Sequence, residues 1–154
     1  MASLTTNKNF LSPTGFQFVI DRTKYPNLEY FCTSVTLPSI DLSEAPTPYR
    51  GINFAMAGDR MNFGDLTLNF NITENMENYI ETFNWMNDIV NKGEEYKSDA
   101  TLIILSSHLN KTKEIKFVDC FPVALDPLEF NTQLSEIEYL QSQVTFKYTY
   151  FEIN

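Results

Sequence analysis

Histidine is almost missing from this chain. His108 is the single one, in the run SSHLN. Serines adjacent in sequence do not build the geometry of a nucleophile, a base and an orienting acid, so His108 is expected to be a loop or strand-end residue without a catalytic role. Cysteine is nearly as scarce, with only Cys32 and Cys120. Small secreted domains that depend on disulfides carry more, and two thiols plus one distant imidazole do not reach zinc-ligand spacing. Both cysteines are expected to be half-buried free thiols in strands. The five glycines form no GxGxxG or Walker loop. No apolar run approaches the roughly 18 residues of a membrane span. The first ten residues lack the apolar core of a signal peptide. These absences point to a protein made and used in a reducing cytosol, or in something assembled there, with no membrane segment.

Positive charge is also in short supply. Eleven Lys and Arg stand against twenty Asp and Glu, a formal net charge of −9. Gripping nucleic acid needs clustered cations that release counterions from phosphates. An acidic surface is still compatible with nucleic acid that must pass without sticking. Neighbouring carboxylates near Glu77 and at Glu94 and Glu95 sit on a helix face or its exit, where a solvated surface is expected. Paired acids for glycoside chemistry must instead face each other across a cleft. The run NFGD at Asn62–Asp65 has no companion kinase motif. No enzyme activity, metal or cofactor is expected.

What is present is globular material. The chain has 154 residues, 43% hydrophobic and 14% aromatic, enough for one domain that buries about 70% of its unfolded surface. Residues 1–11 are expected to be flexible, followed by a turn at Ser12–Gly15. Phe16, Phe18 and Ile20 begin a short strand, and Tyr30–Leu37 a second that Pro38 ends. Residues 39–64 are expected to form an extended arm or hairpin, irregular around Pro46 and Pro48, with a return corner at Gly58–Arg60. Leu66, Leu68, Phe70 and Ile72 alternate with Asp65, Thr67, Asn69 and Asn71, a half-buried strand. Met76, Tyr79, Ile80, Phe83, Met86 and Val90 recur at helical spacing, predicting a helix over 75–91 capped by Thr73 or Asn75 and closed by Gly93. Trp85 lies off that stripe. Further strands are expected at Leu102–Leu105, at Glu114–Asp119 and, after a connecting region at Phe121–Leu128, at Gln143–Ile153. With no βαβ rhythm, the fold class is mainly β (α+β): an antiparallel sandwich or partly closed barrel with one packed helix.

Several motifs occur in a telling order. FQFVI at Phe16–Ile20 precedes YFCTSVTLP at Tyr30–Pro38. AGDRMNFGD at Ala57–Asp65 leads into LTLNFNI, and FNWM at Phe83–Met86 lies on the helix. KEIKFVD at Lys113–Asp119, a Phe-Pro segment and a long aromatic strand follow. In this order the chain resembles the tail tube proteins of contractile-tailed bacteriophages over nearly its whole length. The resemblance implies a virion subunit assembled in the host cytoplasm. It implies six-membered rings stacked into a hollow rod, with a tail sheath protein outside, baseplate and tail terminator proteins at the ends, and double-stranded DNA passing through.

Strand-rich domains carry sheet edges that invite pairing, and ring closure would remove them. On that reading Tyr49, Arg50, Ile52, Phe54, Asp59 and Arg60 are candidates for contacts between subunits or rings. Asp65, Thr67, Asn69 and Asn71, or Thr145, Lys147 and Thr149, are candidates for the bore. Glu77, Glu81, Asp88, Glu94 and Glu95 are candidates to face the sheath. The competing readings are a baseplate-proximal tube initiator or a related contractile-injection tube protein, and a small ligand-binding β-sandwich using Tyr25, Tyr30 and Tyr49.

Overall fold

The structure is a computed structural model that describes residues 5–7, 9–93, 97–136 and 138–154. Among the described residues nine strands and two helices follow in the order β1 (Phe16–Val19), α1 (Pro26–Tyr30), β2 (Cys32–Thr36), β3 (Ile40–Tyr49), β4 (Ile52–Phe63), β5 (Leu66–Asn71), α2 (Glu77–Lys92), β6 (Ser98–Leu105), β7 (Lys111–Leu125), β8 (Gln141–Lys147) and β9 (Tyr150–Ile153). Every pairing is antiparallel. The expected architecture, antiparallel β with a helix packed on it, is the one the chain adopts.

One sheet runs β1-β6-β7-β8-β5-β2, with β9 also on β7, and β3 and β4 form a separate pair. The long β7 joins the two halves. Its first part lies between β6 and β9, and its second part pairs with β8. The change of direction comes at a bulge where two residues, Val118 and Asp119, oppose the single Asp99. Asp119 takes a left-handed φ of 58°, and its N–H donates to the Asp99 carboxylate at 3.1 Å. Bulges bend a strand in this way. The strand therefore continues through Phe121–Leu125, which the sequence reading made a connector.

The bulge also divides the last strand. β8 stops at Lys147 and β9 starts at Tyr150, while Thr149 N–H donates to Val118 O. The break reverses the alternation. Phe151 is buried and Tyr150 is exposed, the opposite of a single strand carrying Val144, Phe146, Tyr148 and Tyr150 on one face.

The core lies between the coiled sheet and α2. Leu66, Leu68 and Phe70 of β5 are fully buried beside Val144 and Phe146 of β8, with Ile115 and Phe117 of β7. Each such side chain removed from water contributes about 1.5–3 kcal/mol before entropy is counted. Phe117, Tyr148 and Phe151 pack ring against ring at 5.1–6.1 Å, and Phe63 joins them from the base of the β3–β4 pair.

Helix α2 presents a different face from the one its apolar stripe suggests. Asn78, Thr82 and Trp85 point inward, whereas Ile80, Phe83 and Val90 are exposed, Val90 by 81%. Two groups turn the helix. Trp85, the largest side chain, stacks on Tyr25 at 4.1 Å between ring centres. Buried Asn78 donates to Asn71 O at the end of β5 and accepts from Tyr79 N–H at 2.9 Å. Leaving such polar groups unpaired in the interior costs more than exposing an isoleucine. Thr73 Oγ1 accepts from Glu77 N–H at 2.9 Å, and Gly93 closes the helix at φ 59°.

Candidate functional site

The structure brings the two proposed rows of bore residues onto one face. In the register of β5 and β8, Thr67 lies opposite Thr145, and Asn69 opposite Gln143. On the other side of β5, Thr36 and Ser34 of β2 continue both rows. Because residues i and i+2 share a face, this is the side turned away from Leu66, Leu68 and Phe70. Asn69 donates to Ser34 Oγ at 2.8 Å, and Thr33 Oγ1 donates to Asn69 O at 3.2 Å. At the margin Lys147 lies 3.8 Å from Asp65. The face is therefore hydroxyl and amide, with its flanking charges offset against each other. Thr149 is not part of it. The break after Lys147 turns Thr149 toward β7, where its hydroxyl lies 3.5 Å from Asp119 Oδ2. Asn71 lies at the far end of the face, with its Oδ1 buried and unpaired.

The second feature is the β3–β4 hairpin. It is regular through Pro46 and Pro48, contrary to the irregular middle expected. The tight turn closes on the pair Tyr49–Ile52. Alternation of bonded and non-bonded pairs then places both prolines in pairs that need no N–H from them. The turn is also not at Gly58–Arg60. It is at Arg50 and Gly51, whose φ values of 41° and 84° match a two-residue type I′ loop. Gly58–Arg60 instead oppose Ser43 in a bulge of β4. A Cβ on Gly58 would stand 2.6 Å from Ser43 O, so only glycine allows this approach. Arg60 N–H donates to Ser43 Oγ at 3.2 Å. Of the expected contact residues, Tyr49, Arg50, Ile52 and Phe54 gather at the tip, and Asp59 and Arg60 lie at the bulge.

One face of the outer hairpin carries Tyr49, Ile52, Phe54 and Met56, all about half exposed. Tyr49 packs on Phe54 at 5.4 Å, and the Arg50 guanidinium lies 5.8 Å from the centre of the Tyr49 ring. An isolated two-stranded ribbon is at best marginally stable in water, and a contiguous exposed apolar face marks a contact surface. Ile40, Leu42 and Met61, nearer the base, are exposed too. Their alternation with polar neighbours was the available signal.

The acids assigned to an outer face divide. Glu77 and Asp88 are exposed, and Asp88 pairs with Lys92 at 3.2 Å. Glu81 turns toward α1, where its Oε1 accepts from Asn27 at 2.7 Å. It ties the two helices and is not an open surface acid. Glu94 and Glu95 lie outside the described residues.

A ligand-binding cleft built on Tyr25, Tyr30 and Tyr49 does not form. Tyr25 is stacked under Trp85, and burial raises its hydroxyl to about 12. Tyr30 is exposed at the end of α1, and Tyr49 is at the hairpin tip. Burial likewise pushes the Cys32 and Cys120 thiols up to about 12, which keeps them protonated and unreactive at neutral pH. Among the described residues no His, Cys, Asp and Glu cluster could hold a metal ion, and no helix is long and apolar enough to cross a membrane.

Solved structures share this arrangement. The chain is similar to a chain in the structure of the anti-feeding prophage cap, the tube-terminating cap, with a TM-score of 0.75 at 16% identity over 99% of this chain and 95% of that one. It is similar to a chain of the PVC extracellular contractile injection system, solved as its sheath-tube complex in the extended state, with a TM-score of 0.69 at 19% identity over 99% of both. Hcp1 from Flavobacterium johnsoniae gives 0.52 at 14% identity over 94% of both chains. At these identities the likeness shows a common fold. None of the curated proteins matches the chain by sequence. The family model described as phage tail tube protein matches residues 3–154, and the chain belongs to the phage tail tube protein family.

Proposed function

We propose that this chain is a subunit of the inner tube of a contractile tail, forming hexameric rings that stack into a hollow rod. The hydroxyl and amide face of β2, β5 and β8 lines the bore, and double-stranded DNA passes along it during ejection. The observation that carries this reading is the pair of unlike surfaces on one small domain: a broad polar sheet face with almost no net charge, and a projecting hairpin with an uncovered apolar side. A bore of Ser, Thr, Asn and Gln offers phosphates no cation cluster, so counterion release cannot drive adhesion. The hairpin reaches the adjacent subunit or ring, where its apolar face is covered. The outer face of α2, with Ile80, Phe83, Glu77 and Asp88, is turned to the sheath. Baseplate and terminator proteins meet the two ends. The chain acts as a wall and not as a catalyst.

Negative-stain microscopy with size-exclusion chromatography tests the reading. The full chain should form rings or rods as its concentration rises, and deletion of residues 46–54 should leave a folded subunit that does neither. A full chain that stays monomeric at high concentration, and also when offered a preformed ring, would overturn it. A tube-end subunit is the second reading, favoured by the likeness to the anti-feeding prophage cap. It predicts single rings that bind the end of an existing tube without elongating.

A further inference from the structure

The hairpin leaves the body at one end of β5, next to Leu66, since β4 enters β5 there and β2 departs opposite Thr67. At the other end of β5, roughly 17 Å away at about 3.4 Å per residue, the connection between β7 and β8 encloses a recess of about 640 Å³. Asn71, Glu129, Leu134, Glu138 and Tyr139 line it. Its chemistry is lopsided. Glu129 and Glu138 form no ion pair among the described residues. The buried Oδ1 of Asn71 has no donor. Leu134 and Tyr139 are exposed apolar walls. The recess lacks a cation that brings several N–H groups on an apolar stem.

Such cations are scarce in this chain. Arg22, Lys24, Lys92, Lys111, Lys116 and Lys147 each pair with a carboxylate of their own subunit. Among the described residues Arg50, Arg60 and Lys113 form no ion pair, and of these Arg50 is carried at the apex of the hairpin beside Tyr49. A guanidinium offers five donors in a fixed fork, suited to carboxylates and an amide oxygen together. An interface between different patches at opposite ends of one molecule repeats head to tail without exhausting itself.

Building on the tube reading above, we propose that the hairpin tip of one copy docks in this recess of a second copy. Arg50 meets Glu129, Glu138 and Asn71 Oδ1, and Tyr49 packs on Leu134 and Tyr139. The contact gives the stack its polarity, because the hairpin springs from one end of β5 and the recess lies at the other.

The test is a charge exchange in the full chain, with thermal unfolding of each variant to establish that it is folded. Arg50→Glu alone, and Glu129→Arg with Glu138→Arg, should each raise the concentration needed for rods on the order of 30-fold or more, the effect of breaking a buried charge pair. The combination of all three should recover rods. Rings that still form in the single-side variants would place the contact between rings. Rods from Arg50→Glu at the wild-type concentration, or no recovery in the combined variant, would overturn the docking while leaving the tube reading intact. A wild-type chain that makes neither rings nor rods would overturn the tube reading, and the docking with it.

Discussion

Strands β3 and β5 lie close in sequence and have opposite surroundings. In β5, Leu66, Leu68 and Phe70 are wholly buried, because α2 and the rest of the coiled sheet cover that side. In the β3–β4 hairpin, Tyr49, Ile52, Phe54 and Met56 share a face just as regularly, yet water covers them. Alternation fixes which residues share a side. Whether that side becomes a core depends on a second layer, which the body has and the hairpin lacks within one subunit. Under the proposed function, the second layer for the hairpin is another copy.

Substitutions that open the body should have the largest effect. Phe117→Ala removes the centre of the aromatic cluster and should cost about 3–5 kcal/mol of unfolding free energy, read by urea denaturation. Loss of Asn78 comes next. Asn78→Ala leaves Asn71 O and Tyr79 N–H without partners and should cost about 1–3 kcal/mol, with the amides of the first turn of α2 exchanging faster.

Alkaline pH should act on the body as well. Burial raises Cys32 and Cys120 from 9.0, and Tyr148 from 10.0, to about 12 in the folded chain. A folded value above the unfolded one favours the folded state below the unfolded value. The advantage is then lost as pH rises through the folded value. The urea midpoint should hold up to about pH 9 and fall from there toward about pH 12. A flat midpoint across that window would show that these groups are open to water.

The hairpin should respond in the opposite manner. Phe54→Asp should change unfolding of the isolated subunit by no more than about 0.5 kcal/mol, as expected for a surface site, while removing rods in the microscope. A large loss of subunit stability would mean that the hairpin rests on its own body and that its apolar face is already covered within one subunit. Smallest of all is Lys147→Gln. Its pair with Asp65 is well exposed at 3.8 Å, so the substitution should leave rods intact and cost about 0.3 kcal/mol or less, fading with salt.

The β5 strand was legible from four apolar residues at spacing two, and the helix from its period and Gly93. The hairpin turn was misplaced because glycine signals compete. Gly58 serves a close approach to Ser43, whereas Gly51 supplies the positive φ of the turn. The prolines misled because their harm depends on which pair of the ladder they occupy. The inward face of α2 was misread because the stacking of Tyr25 on Trp85 joins residues 60 positions apart. The recess at the β7–β8 connection gave no signal, since its lining comes from the end of β5 and from a stretch without periodicity.

The sequence by itself determined the class of fold, the polar row of β5 and the acidic balance, because these follow from local alternation and composition. Tertiary structure decided that the rows of β5 and β8 form one face, that Thr149 leaves it, and that Glu81 serves a helix contact. Those outcomes depend on strand register and on the bulge at Asp119, which arise from pairings between distant segments that no local pattern encodes.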